Sequence, residues 1–377
     1  MRWVLYNLTS TTQSGGVETS TWNLAQGLMA RGHDVTLVAG QSGRPLPAQA
    51  EGVNVVMFPF RPRESFPKLG SRARKLMERL SMARRAIPFL RANSDCLLIF
   101  KPYDFGPALW AARRRGGRDM RVGFMAGGSE FYPGYATLAK RIDYFAAVSR
   151  FTATQIERAT GLRPLVNHLG VDLDCFQPLE PDWEWGSSLG LKLGDEVIAS
   201  AVRLVPLKGM QHALAALAQL AASRPRLKLA IAGEGPYAGE LKLQAQSLGL
   251  ADRLILAGFM PQADLARFYA MARVAVFPSQ GEEALGLSVA EAMACGLPVV
   301  ASDLGGLPEV VSPEAGLLTP PKNPQALADA LASLLDDESR REDMGRAGQA
   351  WVGAEFSWSA CVESLETGML GAGKETA

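Results

Sequence analysis

The feature that most restricts the fold is an alternation that runs twice along the chain: a short, continuously apolar run, a glycine-bearing loop, a segment with helical spacing, then another apolar run. Strands that read as unbroken apolar runs are buried on both faces, and linking them through helices gives a parallel sheet covered on both sides. In the first half, Trp3-Val4-Leu5-Tyr6 leads into a Ser/Thr/Gly loop ending at Gly15-Gly16. Helical spacing follows over 19–30 and closes at Arg31-Gly32, where glycine suits a left-handed cap. Asp34–Gly40 is a clear strand, and 53–58, 96–100, 122–125 and 144–148 read as further strands.

The pattern breaks over 178–195, where Pro178, Pro181, Trp183, Trp185 and Gly186 interrupt it, and this stretch reads as a linker. The alternation then resumes with strands at 197–202, 228–232, 254–257, Val274–Phe277 and 298–302. Between them lie helices at 210–223, 237–248, 263–271 and 287–295. The expectation is two Rossmann-like, doubly wound α/β domains, 1–180 and 181–355, with a helical segment 356–377 returning to the first. A length of 377 residues and 47% hydrophobic content suit two such cores. Ligands of open parallel sheets bind at the carboxyl ends of the strands, so the loops after strands are where chemistry is to be sought.

Charge separates the halves. The chain holds 39 Lys and Arg against 38 Asp and Glu. Residues 1–180 carry 24 of the basic and 14 of the acidic ones, and 181–377 carry 15 and 24. Two bodies of opposite sign have different partners. Cys96, Cys175, Cys295 and Cys361 stand alone with no C-x-x-C pair, which gives neither a zinc site nor a disulfide framework. The opening MRWVLYNLTS turns polar too soon for the core of a signal peptide, and no apolar run reaches the ~18 residues of a spanning helix. A cytoplasmic protein, in solution or on the inner membrane face, is expected.

Two loops carry the chemistry. After strand 197–202 come Arg203 and then Lys208-Gly209 opening a helix; two cations beside free amide groups suit a diphosphate. After Val274–Phe277 the chain reads PSQGEEALGLSVAEAMACGLP, with Glu283 and Glu291 separated by seven residues. Glu283 precedes a glycine-bearing helix start and can accept hydrogen bonds from sugar hydroxyls. Ala284, Leu285, Gly286 and Leu287 bring backbone amides to phosphate, and Glu291 can reach a ribose diol. The plain alternative is a pair of acids on an amphipathic helix.

This string resembles the E-x7-E element of the family-4 glycosyltransferases, retaining enzymes of the GT-B fold, and the likeness extends through EAMACGLPVV. Other matching pieces are Gly15-Gly16-Val17-Glu18, Arg31-Gly32-His33-Asp34-Val35, Gly170-Val171-Asp172 with Phe176, Gly233-Glu234-Gly235-Pro236 and Phe356-Ser357-Trp358. The resemblance implies two Rossmann-like domains facing across a cleft and metal-independent, retaining transfer of a sugar from a UDP-, GDP- or ADP-linked nucleotide sugar to a hydroxyl acceptor. The leaving phosphate would take the acceptor proton. It places Arg203, Lys208 and Glu283 in catalysis and Gly15, Gly16 and Glu291 at the donor. Backbone base contacts are expected around Gly258, Phe259 and Met260. No cofactor is implied beyond the nucleotide sugar itself.

Three departures stand out. The family's histidine in a string like HGSE is replaced in Gly127-Gly128-Ser129-Glu130, the expected acceptor and sugar pocket. Its Pro-Asn before Gly-Val-Asp is His168-Leu169, and the glycine before the pyrophosphate arginine is Val202. The first departure keeps open a catalytically idle nucleotide-sugar-binding subunit. A nicotinamide dehydrogenase is disfavoured by the lack of an early G-x-G-x-x-G.

Asp172-Leu173-Asp174 spells D-x-D, but it lies just before the linker and no other acid or histidine cluster has ligand spacing, so no metal site is expected. Gly233-x-Gly235 reads as a tight turn, and His33 and His212 as structural. Segment 61–91 holds ten Lys/Arg and two Glu. Ala73, Leu76, Met77, Leu80, Ala83, Ile87 and Leu90 recur at helical spacing, with Arg72, Arg74, Lys75, Arg79, Arg84 and Arg85 elsewhere on the wheel. Such a helix lies on an anionic membrane, or covers a sheet with a solvated basic face. Arg113, Arg114, Arg115 and Arg118 add to the same domain. A lipid-linked acceptor is compatible with this charge; nucleic acid is not expected, because interleaved aromatics and a reader motif are missing.

Overall fold

The computed structural model describes residues 1–13, 15–68, 70–113, 120–128 and 130–371. The chain divides into two compact units: Met1–Gly170 with the C-terminal helix from Trp358 onward, and Val171–Ser357.

In the first unit the elements follow in the order β1 (Arg2–Tyr6), α1 (Gly16–Ala30), β2 (Asp34–Gly40), β3 (Asn54–Phe58), α2 (Ser71–Asn93), β4 (Cys96–Ile99) and α3 (Phe105–Ala112). Then come β5 (Arg121–Ala126), α4 (Tyr135–Ala139), β6 (Tyr144–Ala147), α5 (Arg150–Thr160) and β7 (Leu165–Val166). The sheet order is β3-β2-β1-β4-β5-β6-β7, with every pair parallel. Central β1 is buried on both faces: Trp3, Val4, Leu5 and Tyr6 are at most 1% exposed, as its unbroken apolar run requires. The order reverses between β1 and β4, so the loops after these two strands flank the switch point.

The second unit contains α6 (Trp183–Ser188), β8 (Glu196–Ala201), α7 (Met210–Leu220), β9 (Leu227–Ala232), α8 (Ala238–Ser247), β10 (Leu254–Gly258), α9 (Gln262–Ala270) and β11 (Val274–Phe277). It continues through α10 (Leu287–Ala294), β12 (Val299–Ser302), α11 (Leu307–Val310), β13 (Gly316–Thr319), α12 (Pro324–Leu335) and α13 (Glu338–Glu355). Its parallel sheet runs β10-β9-β8-β11-β12-β13, with the reversal between β8 and β11. The stretch 178–195 lies inside this unit, where Asp182 caps α6 through Trp185 N at 2.9 Å.

Helix α14 (Trp358–Gly371) belongs to the first unit, packing on α1, β5 and β6. Asn167 donates to Cys361 O at 3.1 Å, and Arg31 and His33 meet Glu366 at 2.5 and 3.0 Å. The Arg31 guanidinium and the His33 ring hold the Glu366 carboxyl below the usual carboxylate range. His33 is thus a structural residue tying the turn between α1 and β2 to α14.

Two expectations need correction. Helix α1 begins at Gly16 rather than at 19, and Glu18 in its first turn accepts from Thr9 Oγ1 at 2.6 Å. That contact fixes the glycine-rich turn as helix against its low propensity. The faces of α2 also differ from the wheel. Leu76 and Leu80 are exposed, while Arg79 is buried and paired with the fully buried Asp104.

Candidate active site

The five loops following β8 to β12 share the carboxyl edge of the second sheet, and those after β8 and β11 flank its switch point. Arg203 is exposed just beyond β8. Lys208 ends a 3-10 turn, Pro206–Lys208, and Gly209 then takes φ +73° before α7 starts. A Cβ on Gly209 would stand 1.7 Å from Pro278 O, so only glycine lets the β8 loop approach the β11 loop. The two loops are further stitched by Gln280 N and Gly281 N donating to Leu207 O at 2.9 and 3.1 Å. Gln280 Nε2 donates to Pro206 O at 2.8 Å, and His212 meets Gln280 at 3.0 Å. His212 is therefore part of the loop clamp.

This clamp sets Lys208 Nζ 2.5 Å from Glu283 Oε1, and Ser279 Oγ donates to the same oxygen at 2.8 Å. Both partners of the ion pair are about a fifth exposed and face the strand ends. Behind Glu283 the backbone is held from the β12 loop. Gly306 N donates to Glu283 O at 2.8 Å, and Cβ atoms on Gly305 or Gly306 would lie 2.5 and 2.4 Å from Glu283 O and Ala284 O. Ser279, Gly305 and Gly306 were not singled out from the sequence. The adjacent glycines just after an apolar strand are the signal that marks such a close approach.

Ala284 and the buried Leu285 lead to Gly286, which caps α10 with φ +101°. The amides of Leu287 and Ser288 open α10 at the positive end of its dipole, while Val289 N already donates to Gly286 O at 2.9 Å. Glu291 lies half-buried on α10, and burial pushes its carboxyl up to about 7. At the neighbouring edge, Gly258 ends β10 with φ +76°; Phe259 is 65% exposed and Met260 is buried. Gly233 and Gly235 press against Val202 O and Leu204 O, which explains that glycine pair as a close backbone approach. Arg203, Lys208, Glu283, the 284–287 turn and Glu291 thus belong to adjoining loops and helix turns of one unit.

The remaining sequence candidates lie in the first unit. Gly15 and Gly16 open α1 at the β1 side of that unit's switch point. Gly127 and Gly128 are exposed after β5, and Ser129 lies outside the described residues. Glu130 is paired with Lys75 of α2. Lys101, half-buried after β4, has its ammonium pushed down by burial and by Arg79, with Glu18 and Glu130 opposing. Cations and acids therefore surround the β1/β4 switch point. Asp172 of the D-x-D string instead accepts from Asp174 N at 3.2 Å and Cys175 N at 3.1 Å, a local turn. Among the described residues, no three His, Cys, Asp or Glu side chains gather as a metal site.

Residues 181–351 match the family described as Glycosyl transferases group 1, and residues 14–175 match Glycosyltransferase Family 4. The chain is 32% identical over 354 residues to a GDP-mannose-dependent alpha-(1-6)-phosphatidylinositol monomannoside mannosyltransferase of Mycolicibacterium smegmatis, covering 88% of this chain and 89% of that one. A GDP-mannose-dependent monoacylated alpha-(1-6)-phosphatidylinositol monomannoside mannosyltransferase of Corynebacterium glutamicum is 34% identical over 60% of this chain and 62% of its own length. Among solved structures, sucrose-phosphate synthase from Thermosynechococcus elongatus superposes with a TM-score of 0.81 at 21% identity, covering 97% of both chains. Anabaena HepE in complex with UDP and glucose gives 0.80 at 21% identity, covering 97% of this chain and 98% of its own. These two share the fold. By its match over most of the length of the Mycolicibacterium smegmatis relative and to both family descriptions, the chain belongs to the family-4 glycosyltransferases.

Proposed function

We propose that the protein is a retaining glycosyltransferase that moves a hexose from a nucleoside-diphosphate sugar to a hydroxyl of a lipid-bearing acceptor, without a metal ion. The observation that carries this reading is the Lys208–Glu283 pair at the β8/β11 switch point, with Arg203 exposed on the adjoining loop. As the bond from the sugar to the diphosphate breaks, negative charge grows on the departing phosphate oxygen. Arg203, Lys208 and the α10 first-turn amides are the groups of this chain suited to stabilise it. Glu283 accepts from sugar hydroxyls and orients the ring, while Glu291 serves the ribose. Attack on the same face, with the acceptor proton passing to the leaving phosphate, requires no enzymatic nucleophile.

The relatives named for GDP-mannose and phosphatidylinositol mannosides support GDP-mannose as donor and an inositol-containing glycolipid as acceptor. The exposed face of α2 supports a membrane-side location: Arg72, Leu76, Leu80, Arg84, Arg85 and Pro88 lie on it. Nearby, Arg91 lies 5.7 Å over the ring of Trp110, itself 56% exposed. Cations with exposed leucines and an interfacial aromatic suit an anionic lipid surface. No helix among the described residues is long and apolar enough to cross a membrane.

The deciding experiment incubates the protein with GDP-mannose, UDP-glucose and ADP-glucose, with and without phosphatidylinositol mannoside acceptors. Acceptor-dependent release of GDP is expected. Binding of GDP-mannose with no release in the presence of any acceptor would instead identify a nucleotide-sugar-binding subunit.

A further inference from the structure

At the opposite, amino-terminal edge of the second sheet lies a recess of about 540 Å³. Its wall is basic: Arg224, Arg226 and Arg273 line it together with Glu196 and Asp336. Three guanidiniums against two carboxylates leave a local positive excess on a half of the chain that is acidic overall.

The use of the guanidinium donors separates the three arginines. Arg224 is committed to acids, donating to both oxygens of Glu196 at 3.1 and 3.2 Å and pairing with Asp336. Arg273 is 45% exposed and reaches Glu196 only at 3.5 Å; Arg226 donates to Leu193 O at 2.8 Å. Each guanidinium has five donors, so Arg226 and Arg273, both lining the recess, keep most of theirs outside these contacts.

A competing use for such cations is to cap the carbonyl ends of α7 and α12, which point to this edge. Those carbonyls are already served by others. Arg253 donates to Ala221 O and Arg224 O at 3.0 Å, and Arg341 to Leu334 O and Leu335 O at 2.7 and 3.0 Å.

We infer that this recess is a second ligand site, which binds the phosphate group of a small phosphorylated molecule through Arg226 and Arg273. Paired guanidinium forks match a phosphate terminus, and Arg224, held by its acids, is a fixed part of the wall. The volume exceeds what the phosphate alone fills, and Leu220, Pro225 and Ala332 supply an apolar wall for an organic moiety of about monosaccharide size. The site is separate from the nucleotide edge, because β8 and β11 enter it at Glu196 and Arg273 and run from there to Arg203 and Ser279.

Titration calorimetry of the whole chain with glucose 6-phosphate as probe tests the inference, with inorganic phosphate and glucose as the two partial ligands. Saturable binding is expected for glucose 6-phosphate, weaker binding for phosphate, and none for glucose. Binding should persist in Lys208→Ala and fall at least tenfold in the Arg226→Gln, Arg273→Gln double variant. Arg273→Gln alone, at an exposed position, keeps the fold measurable by circular dichroism and should weaken binding several-fold. No saturable binding, equal binding in the double variant, or loss in Lys208→Ala would each overturn the assignment.

Discussion

Lys208 and Glu283, 75 residues apart in sequence, meet at 2.5 Å across the point where the second sheet reverses its strand order. Each comes from a different loop, and the contact exists because Gly209 allows those loops to touch. In the proposed reaction a cation for the diphosphate and a carboxylate for the sugar are thereby held in one place before any substrate binds. Preorganisation of this kind lets a charge stabilise a transition state without reorganising at the moment of reaction.

Removing either member should damage transfer more than folding. Lys208→Ala is expected to lower kcat/KM by about a hundredfold, on the order of 3 kcal/mol for one preorganised donor. Glu283→Ala should cost at least tenfold, and Glu283→Gln, which keeps an acceptor oxygen but not the charge, should be intermediate. Steady-state release of nucleoside diphosphate measures all three; wild-type turnover in either alanine variant refutes their assignment.

Two glycines make opposite predictions about stability. Gly209→Ala puts a methyl 1.7 Å from Pro278 O at φ +73° and should lower the melting temperature by many degrees, with loss of transfer. Gly127→Ala meets only Val17 Cγ2, at an ordinary 3.6 Å, and should fold within about 0.5 kcal/mol of wild type. The position the family fills with histidine therefore has room for a Cβ. Urea denaturation of the two variants provides the comparison.

The difference between these glycines shows what the residues disclosed and what they hid. Val274–Phe277 and the string after it could be read directly, because an unbroken apolar run followed by glycines constrains backbone and burial locally. The Glu283 carboxylate was legible for the same reason. Ser279 and the Gly305–Gly306 brace were not, since their meaning lies in contacts made across the sheet edge. A helical wheel defines faces but not which one is covered, and Arg79 goes inside because Asp104, 25 residues on, is waiting there. Leu76 and Leu80 are left in solvent by the same rotation.

That buried pair should be a stability determinant. Arg79 and Asp104 are 6% and 0% exposed, and burial pushes Asp104 up to about 6 despite the attraction of Arg79. Removing one partner leaves the other charge buried alone, so Arg79→Ala should cost about 3–5 kcal/mol. Replacing both, as in Arg79→Leu with Asp104→Asn, should cost less than the single change. Denaturant midpoints decide between the two outcomes.

Glu291 gives a pH signature. Its carboxyl titrates near 7 in the folded protein because burial disfavours the ionised form, and near the ordinary carboxylate value when unfolded. Between those values the unfolded chain has released a proton that the folded one keeps. Stability contributed by this group therefore falls as pH rises from about 4.5 to 7 and is level above that. Glu291→Gln should raise the melting temperature at pH 8 relative to wild type and change it less at pH 5. If the ionised form accepts from the ribose hydroxyls, nucleotide affinity should climb with pH through about 7 in wild type and stay flat in Glu291→Gln. Equal pH profiles in the two proteins would remove Glu291 from the ribose.

The exposed face of α2 makes the last prediction, and it separates lipid docking from a merely solvated basic helix. A solvated face needs only its cations, whereas a docking face needs cations and apolar side chains together, and Leu76 and Leu80 are 38% and 39% exposed between Arg72 and Arg84. Wild type should sediment with vesicles containing phosphatidylserine or phosphatidylinositol at low salt and be released as salt screens the surface. Each cation near such a surface contributes roughly 1 kcal/mol, so Arg84→Ala with Arg85→Ala should weaken partitioning by about thirtyfold. Leu76→Ser with Leu80→Ser should weaken it at any salt concentration, because apolar insertion is not screened. Transfer to a short-chain, water-dispersed acceptor should be unchanged in both pairs of variants, while transfer to acceptor in vesicles should fall with binding. Retention of vesicle binding in the leucine variants would reduce the face to simple electrostatics, and its absence in wild type would dismiss the membrane altogether.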